Sequence, residues 1–390
     1  METAGSELFL DEYSSLCKKI RVLHVAEPAG GVDIYLKTLF RYSDPSKVEN
    51  ILVCSQNYDT RDYRDVADAV EQIHMEHEVS ALDDGRSVRM IRELIERYSP
   101  DIVYAHSSKA GALLRMADIG IRNRVLYNPH GWSFNMRIDQ KSRRKYAMIE
   151  RAQSPFTDRI ICISDSEKRS ALRHRICNEK KLSVIYNGVD LNALRNVHPE
   201  SREHLGIPNN AFVVGMCGRI SEQKDPTDFV KAAKVIKLKI PEAFFIIVGD
   251  GPERKLIESQ IKRYELSDSF LITGWVKDAW PYMSLFDVGM LLSKWEGFGL
   301  VIPEMMYLRI PVIATAIDGI RDIITGGTDG ILVNPSDPAF AAAKAVVSIH
   351  DDPSLSEHLR INAHRTAVLR FDGKRMAEET EELYEEVMWG

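Results

Sequence analysis

Residues 288–304 read VGMLLSKWEGFGLVIPE, and this stretch contains a strand, a loop and the beginning of a helix. The apolar run that ends at Leu292 predicts a buried strand, while Gly297 and Gly299 interrupt any helix across the loop. Pro303 is expected at the first position of the next helix, where its missing N–H is not needed. Backbone N–H groups of such a loop and the helix N-terminus can bind phosphate oxygens. The stretch therefore predicts a strand–loop–helix unit with a ligand site at the carboxyl end of the strand.

The same alternation of strand and helix extends in both directions from this unit. Short runs rich in Val and Ile alternate with segments of helical period, such as residues 87–98, where Val88, Ile91 and Leu94 share one face. Continuous apolar strands between helices predict parallel sheets that are covered on both faces. The predicted strands span residues 20–25, 51–55, 101–105, 125–128, 159–164, 182–186, 212–217, 244–248, 270–273, 288–292, 311–315 and 331–333.

Polar, turn-forming and charged residues between 187 and 208 separate these strands into two sets. A chain of 390 residues is also longer than one ordinary hydrophobic core accommodates. We therefore predict two doubly wound, Rossmann-like α/β domains over residues 1–187 and 188–371, followed by a helix over 372–390. Ligands of open parallel sheets bind beyond the carboxyl ends of the strands. The ligand should thus lie in a cleft between the two domains.

Strand 212–217 leads into a second candidate loop, which begins with Gly218 and Arg219 and reaches Lys224. The planar fork of an arginine and the compact charge of a lysine on one loop can both reach a diphosphate. Ordinary surface charge is the alternative explanation. Glu296 and Glu304 flank the loop of the 288–304 stretch, so their carboxylates can reach opposite ends of a ligand that lies across it.

A glycine pair follows the first predicted strand. Gly30 and Gly31 precede a helical segment, and a turn of this kind lets a ligand approach the backbone closely. The turn does not match the Gly-x-Gly-x-x-Gly dinucleotide fingerprint, and a purely structural turn explains it equally well.

Two histidines follow neighbouring strands of the first domain. Strand 101–105 runs into His106, and strand 125–128 runs into His130. Both side chains are expected at the same edge of the sheet, so at least one imidazole should contact a ligand. No further Cys, His or carboxylate residues accompany them at regular spacing, and the sequence therefore predicts no metal site.

The cysteines and the apolar runs indicate the cellular compartment of the protein. Five cysteines are scattered along the chain without a Cys-x-x-Cys spacing, which predicts reduced thiols rather than disulfides or zinc ligands. No apolar run reaches the roughly 18–20 residues of a membrane span. Residues 1–11 lack the basic and apolar regions of a secretory signal. A cytoplasmic location is therefore expected.

The formal net charge of −6 conceals a basic segment. Residues 121–180 contain 14 Lys and Arg residues against 6 Asp and Glu residues, which leaves this segment with a net charge of +8. A solvated helix face is one explanation, and a surface for anionic lipid headgroups or a diphosphate-bearing acceptor is another. Nucleic acid is not expected as a partner, because the chain as a whole is acidic and contains no recognised nucleic-acid module.

Arg219, Lys224 and the pair Glu296-x7-Glu304 together resemble the retaining GT-B glycosyltransferases of family 4, also called glycosyl transferases group 1. The resemblance is to the bacterial capsule and lipid-linked glycan type, and it is most specific between residues 215 and 333. It implies the GT-B fold, in which two Rossmann-like domains face each other across a cleft. It also implies that the last helix crosses back onto the first domain.

The resemblance implies catalytic roles for four residues. Arg219 and Lys224 would bind the diphosphate of a nucleotide-sugar donor. Glu296 would face the transferred sugar, and His130 would approach that sugar from the first domain. No metal and no cofactor would be required, since the nucleotide sugar is itself a substrate.

The remaining candidates also take their roles from the resemblance. Glu304 would bind the ribose hydroxyls, and Val276 would lie against the nucleobase. Further donor-binding candidates are Gly30, Gly31, Gly218, Gly297, Phe298, Gly299 and Leu300, and the acceptor-side candidates are His106, Lys109 and Trp132. The sequence departs from the family pattern at residues 308–310, which lack an expected glycine, and at Asp322, where a glutamate is expected.

The implied activity is retaining transfer of a hexosyl or N-acetylhexosaminyl group from a nucleotide sugar, with UDP the commonest carrier in the family. The acceptor would be a glycan, possibly lipid-linked, in surface polysaccharide assembly, at the inner face of the cell membrane. A nucleotide-sugar epimerase or a phosphorylase on the same architecture is one alternative, although no lysine is marked as a pyridoxal site. A non-catalytic protein that binds nucleotide sugars or acts as a scaffold is another.

Overall fold

A computed structural model describes residues 19–76, 78, 80–121 and 123–390 of the chain. Cys17, Arg122 of the basic segment and the first eleven residues, on which the absence of a signal was predicted, lie outside these residues. The described chain forms two parallel sheets with flanking helices. This architecture confirms the predicted α/β fold class with two doubly wound units.

The first sheet contains seven parallel strands in the order β3-β2-β1-β4-β5-β6-β7. These strands are β1 (Ile20–Ala26), β2 (Val48–Cys54), β3 (Ala69–Gln72), β4 (Ile102–His106), β5 (Arg124–Asn128), β6 (Arg159–Cys162) and β7 (Leu182–Val184). The second sheet contains six parallel strands in the order β10-β9-β8-β11-β12-β13. They are β8 (Phe212–Cys217), β9 (Ala243–Val248), β10 (Phe270–Ile272), β11 (Val288–Leu291), β12 (Val312–Thr315) and β13 (Ile331–Val333).

Helices connect the strands and close the chain. The α-helices are α1 (Gly31–Tyr42), α2 (Ala81–Tyr98), α3 (Ser108–Ala117), α4 (Gln140–Gln153), α5 (Asp165–Arg173), α6 (Leu191–Arg195), α7 (Pro226–Lys239), α8 (Arg254–Arg263), α9 (Trp280–Met283), α10 (Val301–Tyr307), α11 (Ile320–Ile323), α12 (Pro338–Asp351), α13 (Pro353–Arg370) and α14 (Gly373–Trp389). Short 3₁₀ helices lie at Thr60–Tyr63, Ser133–Asn135, Ser154–Phe156, Glu179–Lys181 and Ser267–Ser269.

The strand order of each sheet reverses at one place. In the first sheet, β1 lies between β2 and β4, and in the second, β8 lies between β9 and β11. Crevices at such reversals, beyond the carboxyl ends of the strands, are where open parallel sheets bind ligands. The glycine pair after β1 and His106 at the end of β4 flank the first reversal. The loops after β8 and β11 flank the second.

Two details of the predicted elements are wrong. Strand β3 was not predicted, because Ala69–Gln72 is short, lies at the sheet edge and is not buried, so it lacks an apolar run. Helix α10 begins at Val301, two residues before the position expected from Pro303. The ring of Pro303 is still tolerated there, since N–H groups in the first turn have no partner within the helix.

The last helix, α14, packs on the first sheet's side of the molecule. Met376, Ala377 and Tyr384 are buried in the same apolar cluster as Leu36 and Leu39 of α1. The carboxylate of Glu381 also accepts a hydrogen bond from the backbone N–H of Asp44 at 2.6 Å. The chain therefore returns from the second sheet to the first and joins the two halves.

A second connection between the halves lies at the N-terminus of α5. The carboxylate of Asp322 accepts a hydrogen bond from the backbone N–H of Ser166 at 2.6 Å and forms an ion pair with Arg169 at 2.8 Å. The Ser166 hydroxyl donates to the carbonyl of Asp318 at 2.9 Å. Asp322, where the sequence departs from the family pattern, thus holds the two sheets together beside the cleft.

Candidate active site

The loop that follows β11 reaches across the cleft to the first domain. A Cβ atom added to Gly297 would lie 3.1 Å from the Cα of Gly131, so the two backbones are nearly in contact. The Ser164 hydroxyl also donates to the carbonyl of Gly297 at 3.3 Å. Gly299 adopts φ +89°, a left-handed conformation that favours glycine and lets the loop turn into α10. The structure therefore brings loop 293–300 against Gly131, which follows His130 in the chain.

The loop after β8 lies beside loop 293–300. The backbone N–H of Gly218 donates to Val248 at 3.0 Å, and the Gln223 carbonyl accepts from the backbone N–H of Lys294 at 2.8 Å. The Gln223 amide also donates to the carbonyl of Trp295 at 3.2 Å. The two Gln223 bonds fix the relative positions of the two loops.

Lys224 and Glu296 form an ion pair between these loops. The Lys224 Nζ lies 2.5 Å from Oε2 of Glu296, and the two side chains are only 16% and 10% exposed. The Ser293 hydroxyl donates to the same carboxylate oxygen at 3.3 Å. The backbone N–H of Glu296 donates to the Asp318 carboxylate at 3.3 Å. The carboxylate of Glu296 is therefore held in one orientation.

Arg219 differs from Lys224 in its surroundings. Its side chain is exposed, and no ion pair of its guanidinium is found in the part of the chain that the structure describes. An arginine on a strand-end loop with its donors unused can bind an anion in a bidentate manner. The two predicted cations thus lie on one loop, one ion-paired and one facing solvent.

Glu304 lies in the first turn of α10 and is buried. Burial raises the pKa of Glu304 to about 7, and a hydrogen bond with Trp280 opposes the rise. Burial and the nearby Glu304 carboxylate also raise the pKa of the Cys217 thiol, at the end of β8, to about 12. Val276 is half-buried and packs in the same apolar cluster as Trp280. The predicted ribose and nucleobase residues therefore lie on the same side of the second sheet.

Three histidines form a continuous row in the first domain. The His24 Nδ1 lies 3.0 Å from the His106 Nε2, and the His106 Nδ1 lies 3.1 Å from the His130 Nε2. The row ends at Asn50, whose side-chain oxygen lies 3.1 Å from the His24 Nε2. Burial lowers the pKa of both His24 and His130 to about 3, so the rings are neutral at pH 7.

The row fixes the tautomer of each ring. Because the Asn50 oxygen can only accept, the His24 Nε2 carries the proton and its Nδ1 accepts from His106. By the same argument His106 accepts from the Nε2–H of His130. The His130 Nδ1 then carries no proton and can accept a hydrogen bond from a group outside the row. His24 and Asn50 were not predicted from sequence, although a histidine inside a strand that is otherwise buried and apolar is a signal of this kind.

The structure places the three acceptor-side candidates away from the cleft surface. His106 is fully buried in the histidine row. Trp132 is 1% exposed in the core, and its indole N–H donates to the backbone of Glu167. Lys109 pairs with Asp84 at 2.5 Å and donates to the Glu78 carbonyl at 2.8 Å. All three side chains are thus engaged by other groups of the protein, and their acceptor-side role stays a prediction.

The remaining predicted residues lie along the cleft. Added Cβ atoms at Gly30 and Gly31 would meet nothing within 4 Å, so the space above this turn is open. Phe298 is buried beneath the loop, and Leu300 precedes α10 as its N-terminal flanking residue. In the described residues no group of three or more His, Cys, Asp or Glu side chains is arranged to hold a metal ion.

Comparisons with protein families cover almost the whole described chain. The family described as Glycosyltransferase Family 4 matches residues 29–193, and the family described as Glycosyl transferases group 1 matches residues 197–366. The first match contains His106 and His130 of the histidine row. The second contains Arg219, Lys224, Glu296 and Glu304. The two halves that the sheets define thus each have a counterpart among known families.

Relatives and solved structures agree with this assignment. The chain is 31% identical over 319 residues to the UDP-Gal:alpha-D-GlcNAc-diphosphoundecaprenol alpha-1,3-galactosyltransferase of Escherichia coli, and the match covers 78% of this chain and 81% of that enzyme. It is 26% identical over 320 residues to the capsular polysaccharide biosynthesis glycosyltransferase CapM of Staphylococcus aureus, covering 80% and 83% of the two chains.

Among solved structures, the fold is similar to that of the Anabaena protein HepE in complex with UDP and glucose. The TM-score is 0.80 at 22% identity, and the match covers 94% of this chain and all of HepE. Sucrose-phosphate synthase from Thermosynechococcus elongatus has a TM-score of 0.79 at 21% identity, covering 95% and 99% of the two chains. The two sheets, the cleft and these similarities establish that the chain belongs to the GT-B glycosyltransferases of family 4.

Proposed function

We propose that the chain is a retaining, metal-independent transferase that moves a hexosyl or N-acetylhexosaminyl group from a UDP-sugar to a lipid-linked glycan in surface polysaccharide assembly. The observation that carries this proposal is the meeting of the Arg219–Lys224 loop with loop 293–300 where the order of the second sheet reverses. HepE supports the choice of UDP, because that protein was solved with UDP and glucose bound.

The leaving group is the centre of the proposed mechanism. Glycosyl transfer builds positive charge on the sugar and negative charge on the departing diphosphate. Arg219 and Lys224 supply fixed positive charge to that diphosphate, and the N–H groups at the start of α10 add to it. Preorganised donors of this kind each contribute about 3–4 kcal/mol to transition-state stabilisation. Positive side chains here supply the charge stabilisation for which other transferases use a divalent metal ion.

Glu296 orients the sugar in this mechanism and is not the nucleophile. Its Oε2 already accepts hydrogen bonds from Lys224 and Ser293, so its charge is engaged and its position is fixed. The leaving phosphate then acts as the base for the acceptor hydroxyl on the same face of the sugar, which retains the anomeric configuration. His130 contacts the sugar from the first domain, with its Nδ1 as a hydrogen-bond acceptor.

The acceptor side of the proposal rests on a relative and on charge. The similar Escherichia coli enzyme is named for an acceptor in which a sugar is joined through a diphosphate to a lipid. On this chain, helix α4 carries Lys141, Arg144 and Lys145 beside the exposed apolar side chains Met148 and Ile149. Cations next to exposed apolar residues match an anionic membrane surface.

No helix in the described residues has the length and apolar character needed to cross a bilayer. We assign the contact with the membrane to the surface of α4, because its cations lie beside exposed apolar side chains. Co-sedimentation with vesicles tests it: binding should require anionic lipid and fall as salt rises. Binding that is equal with neutral vesicles, or absent at low salt, would contradict the assignment.

The transfer reaction is tested with a panel of UDP, GDP and ADP sugars. Thermal shifts identify the donor, because a ligand that binds only the folded state raises the unfolding temperature. Nucleotide release is then measured with and without a diphosphate-linked sugar acceptor. We expect UDP release that depends on the acceptor. A changed sugar without an acceptor would indicate an epimerase, and UDP binding without turnover on any acceptor would indicate a binding protein.

A further inference from the structure

A pocket of about 440 Å³ lies between the two domains, beside the loop that carries Glu296. Four cationic side chains line it. Arg137 and Arg143 come from the segment that follows β5 in the first domain, and Lys294 and Arg321 come from the second. We call this the four-cation pocket.

The charges of the four-cation pocket are only partly neutralised. Lys294 lies 3.3 Å from the Asp225 carboxylate, whereas the Arg321 Nε donates to a backbone carbonyl. Neither Arg137 nor Arg143 has an ion-pair partner in the part of the chain that the structure describes, and the Nε of Arg143 is buried without a hydrogen bond. The pocket is therefore a site of unsatisfied positive charge.

One carboxylate lines the pocket, and it accepts a hydrogen bond from loop 293–300. Asp318 accepts from the backbone N–H of Glu296 at 3.3 Å. Lys294 and Trp295, which also line the pocket, immediately precede Glu296 in the chain. The four-cation pocket thus lies within one or two residues, along the chain, of the carboxylate that is assigned to the transferred sugar.

We propose that the four-cation pocket binds the diphosphate of the acceptor, while the acceptor's sugar lies beside the transferred sugar that Glu296 and His130 contact. This assignment rests on the proposed transfer function. An ester diphosphate presents a compact cluster of negative oxygens, and two arginines can bind such oxygens in the forked geometry that phosphate favours. The Arg219–Lys224 loop already accounts for the donor diphosphate, so the second cluster of cations serves a second phosphate group.

The pocket also connects acceptor binding with domain closure. Its cations come in equal number from each domain, so a bound diphosphate neutralises charges that otherwise repel across the cleft. The Ser166–Asp322 contact, which joins the two halves, uses the residue that follows Arg321 of the pocket. Binding of the acceptor therefore stabilises the arrangement in which Gly297 lies against Gly131.

The decisive comparison uses two acceptors with the same sugar. One is N-acetylglucosamine α-linked through a diphosphate to a short alkyl chain, and the other is the phosphate-free alkyl glycoside. The variant Arg137→Gln/Arg143→Gln removes the two unpaired cations. The control Arg89→Gln/Arg263→Gln removes two exposed arginines from α2 and α8 and the same charge. All three proteins are compared at one salt concentration.

We expect the pocket variant to raise the KM for the diphosphate acceptor by about tenfold or more, because charge-assisted hydrogen bonds are lost. The KM for the UDP-sugar and the kcat/KM for the alkyl glycoside should stay within about twofold of the wild-type values. Equal losses with both acceptors, or no loss with either, would overturn the assignment. The control should match the wild type throughout.

A binding experiment tests the four-cation pocket independently of the transfer reaction. With UDP present in excess, the wild-type protein should bind a dialkyl diphosphate and the pocket variant should not, whether or not any sugar is transferred. Binding of inorganic pyrophosphate alone, without the dialkyl ester, would overturn the assignment in favour of a free-phosphate site. If the dialkyl diphosphate binds but neither acceptor is used by the wild-type protein, the proposed transfer function fails instead.

Discussion

The ammonium group of Lys224 lies 2.5 Å from the carboxylate of Glu296, and this pair joins the loop after β8 to the loop after β11. One partner is assigned to the leaving diphosphate and the other to the transferred sugar. With these assignments, the two groups hold each other at the position proposed for cleavage of the bond between sugar and phosphate. Changing either one affects the other.

Removal of the two cations should separate catalysis from stability. Lys224→Ala leaves the buried Glu296 carboxylate without its counter-charge, so both kcat and the unfolding temperature should fall. Arg219→Ala should lower kcat by about 100-fold, as loss of one preorganised donor does, with little change in stability, because its side chain is exposed. Steady-state kinetics and thermal unfolding of both variants check this. Near-normal transfer by either variant would refute the diphosphate role.

Donor binding should depend on the charge of Glu304, whose pKa is raised by burial to about 7. As a carboxylate it accepts hydrogen bonds from the ribose hydroxyls, and as a carboxylic acid it accepts them less well. The Kd for UDP should therefore rise as the pH falls through 7, by up to about fourfold between pH 8.5 and 6.5. Titration calorimetry between pH 6.5 and 8.5 measures this.

Two controls isolate the contribution of Glu304 to UDP binding. In Glu304→Gln the dependence of the Kd on pH over this range should disappear. Dideoxy-UDP, which lacks both ribose hydroxyls, should bind the wild-type protein with the same loss of pH dependence. If the wild-type protein binds UDP equally at pH 6.5 and 8.5, Glu304 does not hold the ribose as a carboxylate.

The histidine row should make the folded protein sensitive to acid. Burial lowers the pKa of His24 and His130 to about 3, whereas an unfolded histidine titrates near 6.5. Between these values the unfolded chain binds more protons, so the stabilising contribution is complete above about pH 6.5 and is lost as the pH falls towards 3. Each such histidine contributes about 1.4 kcal/mol per pH unit to this loss.

The contribution of His24 to the free energy of unfolding is isolated by comparison with a variant. This comparison is needed because buried carboxyl groups change that free energy with pH in the opposite direction. Burial raises the pKa of Glu167 to about 8, which favours the folded state at lower pH. His24→Gln retains hydrogen-bonding groups but cannot titrate. Its free energy of unfolding should decline less steeply than that of the wild type between pH 6 and 5, as measured by urea denaturation. Parallel curves would mean that His24 is not held neutral.

The close approach of loop 293–300 to its neighbours predicts the effect of two glycine substitutions. An added Cβ at Gly319 would lie 2.0 Å from the carbonyl oxygen of Gly297, so Gly319→Ala must displace the loop that Ser164 contacts. Transfer should fall by about tenfold or more while the protein stays folded, since a small misplacement of reacting groups slows the reaction strongly. At Gly326 the same Cβ would meet side-chain carbons at 3.7 Å, an ordinary contact. Gly326→Ala should keep wild-type kinetics, and equal activity of both variants would contradict the account.

The parallel sheets and the family were predictable from the sequence because they depend on local patterns. The runs that form β8 and β13 were predicted with the bounds that the structure has, since each is strongly apolar and ends at polar or turn residues. Strand β3 was not predicted, because its stability comes from pairing with β2 and not from its own composition. The residues assigned to the site remain predictions for mutagenesis to test.

Contacts between distant segments were not predictable in the same way. Trp132 and Lys109 follow strands, as ligand-binding residues do, but their side chains turn into the core and onto α2. His24 was not predicted as a site residue, although its Nδ1 lies 3.0 Å from the His106 Nε2. Only the folded arrangement shows that Arg137 and Lys294, which lie 157 residues apart, line one pocket.

The central claim is retaining transfer from a UDP-sugar with Lys224 and Arg219 at the leaving group. The most direct test is proton NMR of the product formed from the UDP-sugar that the thermal-shift panel selects and a diphosphate-linked sugar acceptor. The account predicts one UDP released per sugar transferred and a new glycosidic bond with the anomeric configuration of the donor. A product with the opposite configuration, or sugar transfer that persists undiminished in Lys224→Ala, would contradict it.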